Sequence, residues 1–458
     1  MNILSAHFNR NSINITKPSF YSKTQQKESS LPLANFKNQK KASIPSSLYK
    51  IYFCGNISTS QTASIDEITN RIANLYGKND ICELTYTQKK EILKAITKSQ
   101  DEKFQVGDKT AQTDALLSNL PKDAKPLINS LLSALGISTK KFTEEQLDNF
   151  YQAIDTLSST LAKMKDLEFK DLIITQTYPK YEFIRDVLSI LNDLPENERQ
   201  KVYDYFGFEL FENQNTQAGY TILGYPRNNQ DNAKLEKITN EKTKKAIEAL
   251  REKVLTFSEN NSIKSNNPTV EEELNTILKH MPELQTTINR MQTGDHCFDV
   301  LKHSLKVMKK ICENPNFDNL DPSDKKIILL SSLLHDITKI ELIDDPHHNI
   351  ESSLDAFYIL ERFGLSKDEQ MQVYRMINYH EWLRNLNAKD IDKQERQERI
   401  QNVAFDMKDG NLFEMSVIFT DADLKSVACD DAIFKKFGDA LEKFSPLVKA
   451  EIAKLKSA

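Results

Sequence analysis

His335 is followed directly by Asp336 at the end of an apolar run, and more residues of the same chemistry stand on both sides of the pair. His303 lies upstream, inside a helical pattern. His348 and His380 follow, and Asp423 sits in the apolar stretch Val417-Ile418-Phe419-Thr420-Asp421-Ala422-Asp423-Leu424. Imidazole nitrogens and carboxylate oxygens are the donors that hold a borderline or hard divalent ion. Apolar helix faces have little other use for so many of them. His303, His335, Asp336 and Asp423 supply two imidazoles and two carboxylates, enough for a mononuclear centre with positions left for water and substrate. The chemistry such a set offers is metal-dependent hydrolysis.

Helices must position these groups. Residues four apart share a helix face, so Asp299 is expected to coordinate beside His303 or to orient its imidazole, with His296 a further turn back. His335 and Asp336 are adjacent and can reach one ion only where a helix ends or bends. Asp321-Pro322 is an N-cap with proline at the first helical position. The run Ile327-Ile328-Leu329-Leu330 and Leu333-Leu334 then delivers the pair to the helix end. Gly364 closes a later helix, and Ser366-Lys367-Asp368-Glu369 is a capping box that starts the one carrying His380. From 269 to the end the chain reads as consecutive helices.

With these residues in place, the order His303, His335-Asp336, Asp423 resembles the HD superfamily of metal-dependent phosphohydrolases, over about residues 290–430. Asp299-Val300-Leu301-Lys302-His303-Ser304-Leu305 is similar to the first-histidine helix of the HD domains attached to tRNA nucleotidyltransferases and uridylyl-removing enzymes. Leu333-Leu334-His335-Asp336-Ile337-Thr338-Lys339 is similar to their L-L-H-D-I-G-K string, and Ala422-Asp423-Leu424-Lys425-Ser426 to their closing A-D string. His348 and His380 fall where these families and the HD-GYP phosphodiesterases place extra histidines, which in the latter bind a second metal. Thr338 departs from the usual glycine. Tyr379-His380 stands where a double histidine is common, which removes one ligand of a second ion. The GYP element is absent, and residues 1–290 lack the Gly-Ser start of a nucleotidyltransferase, so neither cyclic di-GMP cleavage nor nucleotidyl transfer is expected.

The resemblance implies an all-α domain and hydrolysis of a phosphomonoester or phosphodiester, nucleotide-like in kind. His303, His335, Asp336 and Asp423 would hold a divalent ion that activates water; His₂Asp₂ suits Mn, Fe, Mg, Ni, Co or Zn alike. Lys339 would neutralise phosphate charge. Asp336, Asp299 or Glu381 would take the proton of the water. His296, His348 and His380 would contact substrate phosphate, or His348 and His380 a second metal. The alternative is a non-catalytic signalling or scaffold module that uses the same fold to bind a nucleotide or a protein. His347 reads as a solvated loop neighbour of His348, and His7 and His280 as surface residues. Trp382 either walls the pocket or packs between helices.

A chain of 458 residues divides into more than one domain. Eleven glycines in that length disfavour Gly-rich cofactor loops, and no dinucleotide or P-loop motif is present. The net charge of −5 gives no reason for general affinity for nucleic acid. Residues 1–50 carry eight Lys/Arg against Glu28 alone, a local +7. Residues 1–60 read as a disordered basic arm and 61–257 as a helical domain, whose surface could meet a protein partner or act as a sensor for the enzyme. That domain has a β-prone stretch at 219–226, expected as a small hairpin. Residues 258–268 read as a linker and 269–458 as the HD-type domain. The odd set Cys54, Cys82, Cys297, Cys312 and Cys429 lacks a C-x-x-C pair and fits a reducing, cytoplasmic setting. No apolar run approaches the ~20 residues a membrane span needs.

Overall fold

The computed structural model describes residues 64–100, 120, 124–207, 209–212, 220–223, 232–294, 296–427 and 431–457. The basic arm expected over 1–60 lies outside them, with His7, Cys54 and Cys429. The described chain is mainly α-helical, with two two-stranded sheets.

Local sequence sets the helix boundaries. After α1 (Ile65–Leu75), α2 (Tyr86–Gln100) and α3 (Lys125–Leu135) comes α4 (Glu144–Lys163). Thr143 and Gln146 exchange side-chain and backbone hydrogen bonds at its start, the capping box read from the sequence. Short α5 (Asp166–Lys170) leads to strand β1 (Ile174–Gln176), then α6 (Lys180–Leu191) and α7 (Glu196–Phe206). Pro195 precedes α7, and Gly207 ends it at φ 69°, where a Cβ would also meet the Ala134 carbonyl oxygen at 2.1 Å. Strands β2 (Glu209–Glu212) and β3 (Tyr220–Leu223) pair antiparallel, with Glu209 opposite Leu223; the stretch 219–226, expected to form a hairpin by itself, supplies only the second strand. Then come α8 (Asn232–Glu236), α9 (Glu241–Glu259) and β4 (Ile263–Ser265).

The C-terminal helices are α10 (Pro268–His280), α11 (Val300–Cys312), α12 (Pro322–Leu334), α13 (His348–Ile359), α14 (Lys367–Asn378), α15 (Trp382–Leu386), α16 (Lys393–Asp406), α17 (Leu412–Leu424) and α18 (Asp431–Ser457). Asp321 caps α12 through the Asp324 N–H at 2.8 Å, and Ser366 with Glu369 forms the capping box of α14.

The stretch 258–268, expected as a linker, contains β4, which pairs antiparallel with β1, Gln176 opposite Ile263. One apolar core runs across it. Leu131, Phe150, Leu157 and Phe169 belong to the same buried cluster as Leu274, Leu305, Leu330 and Phe419. Helix α4 packs on both α10 and α11. The segment between the paired strands builds its own core from α6, α7 and α9, around Phe183, Val187, Phe206, Ile247 and Phe257. Residues 177–262 are therefore a lobe inserted into the larger body, closed at its base by the β1–β4 ladder and the Thr177 N–H donated to the Ser262 carbonyl at 3.0 Å.

A buried polar seam joins the N-terminal helices to α13. Lys90 forms an ion pair with Asp355, Tyr86 Oη donates to the same carboxylate at 3.5 Å, and the Thr97 and Tyr358 hydroxyls are 2.6 Å apart. Among the described residues, no helix is long and apolar enough to cross a membrane, and Cys82, Cys297 and Cys312 are free thiols.

Candidate metal centre

Five helix ends and turns converge on one buried cluster. His303 is in the second turn of α11. His335 is the C-terminal cap of α12, and Asp336 lies in the turn beyond it, so the helix stops where two adjacent residues must both face inward. His348 opens α13. His380 stands in the turn between α14 and α15, and Asp423 is in the last turn of α17.

Two groups of ligand atoms lie within reach of a single ion each: His303, His335 and Asp423, and Asp336, His348 and His380. In the first, His303 Nε2 is 3.0 Å from Asp423 Oδ1 and 3.3 Å from His335 Nε2. Asp336 joins them. Its Oδ2 is 3.3 Å from His335 Nε2 and 3.7 Å from His303 Nε2, while Oδ1 is 3.4 Å from His348 Nε2 and 4.0 Å from His380 Nε2. One carboxylate thus presents one oxygen to each group.

Backbone carbonyls orient three of the imidazoles. Nδ1 of His335, His348 and His380 lies 3.0, 2.6 and 2.7 Å from the carbonyls of Ser332, Asp345 and Ile377, three residues back in each case. A carbonyl only accepts, so these nitrogens carry the proton and the Nε2 lone pairs point into the cluster. His303 has no such carbonyl: its Nε2 lies 3.0 Å from Asp423 Oδ1, which can only accept, and 3.3 Å from the His335 Nε2 lone pair, so a proton on His303 Nε2, or a cation in its place, satisfies both. Asp336 Oδ1 and His348 Nε2 are buried and have no hydrogen bond, a deficit that folded proteins ordinarily avoid. The donor set and these unsatisfied atoms fit a divalent cation.

Charge in the cluster is unevenly tuned. Burial opposes ionisation of Asp336, yet His335 and Lys339 beside it hold its pKa well below the usual carboxylate range. Asp423 is likewise lowered against its burial by the His303 hydrogen bond. Burial works against charge on His335, but Asp336 outweighs it and raises the pKa. His380 is pushed down to about 4 by burial and then by His335 and His348. His296, edge-on to His303 with ring centroids 4.9 Å apart, is pushed down to about 3 by burial and then by His303 and Lys339.

Asp299 differs from the expectation. Helix α11 begins at Val300, so Asp299 is its cap, and its Oδ1 accepts the Lys302 N–H at 2.8 Å instead of standing beside His303 on a helix face. The preference of aspartate for the N-cap competes with the i,i+4 reading of the same spacing. Burial lifts its pKa to about 6 against the pull of the Lys302 N–H. Glu381 pairs with Arg384 at 2.8 Å.

The two departures from the HD strings have partners of their own. Thr338 Oγ1 lies 2.9 Å from Ser352 Oγ and donates to the His348 carbonyl at 3.2 Å, tying the turn after Asp336 to the start of α13. Tyr379 Oη donates to Asp406. Trp382 is buried against Phe413, ring centroids 5.5 Å apart, which is helix packing. His347 is exposed, as expected of a loop neighbour. His280, expected at the surface, is buried, with Nδ1 2.8 Å from the Thr276 carbonyl and its ring edge-on to Phe142. The end of α10 packs under the core there, and an imidazole bonded back to its own helix needs no water.

Sequence reasoning missed two residues beside the centre. Arg290 is buried, and its Nη1 donates to the carbonyls of Ile337 and Lys339 at 2.9 Å each. Gln292 Oε1 accepts from Lys339 Nζ at 2.7 Å. Neither carries a motif; both act through partners distant in sequence. The chain matches no known protein family, no curated protein and no solved structure.

Proposed function

We propose that this chain is a metal-dependent phosphohydrolase of the HD type, acting on a phosphomonoester or phosphodiester of nucleotide-like kind. The observation that carries the reading is the buried Asp336 carboxylate, one oxygen facing His303 and His335 and the other facing His348 and His380. His303, His335, Asp336 and Asp423 would hold one ion. His348 and His380, sharing Asp336, would hold a second, without the ligand that Tyr379 does not supply. A bound divalent ion supplies activation of water and stabilisation of charge at a phosphoryl group.

The protein's own groups have separable tasks. The three backbone carbonyls fix the imidazole tautomers. Lys339 Nζ, 2.7 Å from Asp336 Oδ2 and 17 % exposed, is the cation at the margin of the centre suited to meet a phosphate oxygen. His296, neutral near pH 7 because of its lowered pKa, can donate or accept a hydrogen bond to substrate without adding charge. Asp423, 20 % exposed at its side chain, lies on the accessible side, whereas His335 and Asp336 are sealed from solvent.

The test is metal content by elemental analysis of purified protein, with hydrolysis of bis(p-nitrophenyl) phosphate and the Asp336→Ala variant in parallel. One or more equivalents of a transition metal, lost together with hydrolysis in the variant, supports the enzyme. Protein that is metal-free and inactive, and stays inactive after addition of Mn²⁺, overturns it and favours a binding module.

A further inference from the structure

Gln292 is buried at 6 % exposure beside the centre and is bonded at both ends of its amide. Its Nε2 donates to the Phe298 carbonyl at 3.3 Å, and its Oε1 accepts from Lys339 Nζ at 2.7 Å. Only an oxygen can face an ammonium and only an N–H a carbonyl, so the orientation of the amide follows from its partners. The same ammonium donates at 2.7 Å to Asp336 Oδ2. That oxygen is the one turned toward His335 and His303.

The ammonium and a divalent ion held by those two histidines would therefore address the same carboxylate oxygen. Like charges cannot share it closely at no cost. The backbone of Lys339 is pinned: Arg290 Nη1 holds its carbonyl and that of Ile337, and the Arg290 carbonyl accepts the Val300 N–H at 2.9 Å at the start of α11. What remains free to answer the ion is the Lys339 side chain. Gln292 offers it a partner that stays in place when Asp336 is claimed by metal.

Resting on the metal reading above, we propose that Lys339 is a cationic place-holder competing with the divalent ion for Asp336, and that Gln292 is the positioning residue that keeps a second berth for its ammonium. Lys339 balances the buried Asp336 before the ion arrives. Once the ion binds, the ammonium is held on Gln292 at the edge of the centre.

The test is Mn²⁺ affinity by titration calorimetry on the full chain, as a cycle of Gln292→Met, Lys339→Met and the double variant, with melting temperatures beside it. Lys339→Met is expected to tighten Mn²⁺ binding, because the competing cation is gone. Gln292→Met is expected to weaken it about tenfold, the scale of one hydrogen bond to a charged group. In the Lys339→Met background the same Gln292→Met change is expected to alter Mn²⁺ affinity little, a dependence that a general packing role would not produce. Equal effects of Gln292→Met in both backgrounds, or weaker binding by Lys339→Met, overturn the proposal while leaving the metal centre standing. Should Gln292→Met fail to fold, Gln292→Asn, whose shorter side chain draws the amide oxygen away from Lys339, takes its place in the same cycle. A wild-type chain that takes up no Mn²⁺ overturns the metal reading, and this proposal with it.

Discussion

Asp336 Oδ1 lies 3.4 Å from His348 Nε2, and although both atoms are buried neither has a hydrogen bond. A carboxylate oxygen and an imidazole lone pair are both acceptors, so their proximity is unfavourable until a cation or proton separates them. His348→Ala is expected to lower the metal stoichiometry while His303, His335 and Asp423 retain an ion, whereas Asp336→Ala empties both groups. Elemental analysis of the two variants beside the wild type distinguishes these outcomes. Identical metal content in His348→Ala and wild type would refute a second ion.

The inserted lobe and the N-terminal helices should respond oppositely to deletion. Residues 269–458 alone lack α4 and the other helices that complete the main core, and each buried Leu or Phe so exposed costs about 1.5–3 kcal/mol. That fragment is expected to be unfolded by circular dichroism and unable to hold metal. Replacing 177–262 with a two-residue Asn-Gly turn leaves Gln176 and Ile263 paired and the main core intact. The shortened chain is expected to fold and to retain the metal content of the wild type, with a lower melting temperature because the buried Lys180–Glu341 pair (3.1 Å) is lost. Loss of metal on lobe deletion would show that the lobe holds the centre together.

Lys90 and Asp355 are 4 % and 1 % exposed at their side chains, and they join α2 to the helix that begins at His348. Lys90→Met removes the countercharge of a buried carboxylate that Tyr86 Oη still contacts, and is expected to cost about 3–5 kcal/mol. Lys90→Met with Asp355→Leu removes both charges and should recover most of that loss. Urea unfolding of the single and double variants checks it; a double variant no more stable than the single would contradict the account.

Acidification should destabilise the metal-free protein well above the carboxylate range. His380 is lowered from 6.5 to about 4 and His296 from 6.5 to about 3, burial being the first cause for each. As pH falls from about 6.5, the unfolded chain takes up protons that these two buried rings refuse, so stability drops from about pH 6.5 to about pH 4 on account of His380 and on to about pH 3 on account of His296. His335, raised, acts in the opposite sense, and the depressed Asp336 and Asp423 contribute stability that is lost only below the ordinary carboxylate pKa. Comparing urea midpoints at about pH 7.5 and about pH 5, His380→Gln is expected to show a smaller drop than the wild type. An equal drop would remove His380 as the cause.

Several features were legible in the sequence because they depend on neighbours along the chain. Asp321, Thr143 and Ser366 cap the helices they were expected to start, since capping uses N–H groups only two or three residues away. His303, His335, Asp336, His348, His380 and Asp423 also stand out by chain order and side-chain chemistry, and these residues do meet in space. Tertiary structure decided the rest. Strand β4, inside a stretch that reads as a polar linker, forms only because β1 lies beside it, nearly ninety residues earlier. Asp299 turned to its own helix terminus, since a cap three residues away competes with a ligand position four residues away. The division of Asp336 between two groups of histidines, and the places of Arg290 and Gln292 around Lys339, depend on contacts between segments distant in the chain. No local pattern encodes such contacts, because they exist only once the apolar faces of α11, α12, α13 and α17 have packed.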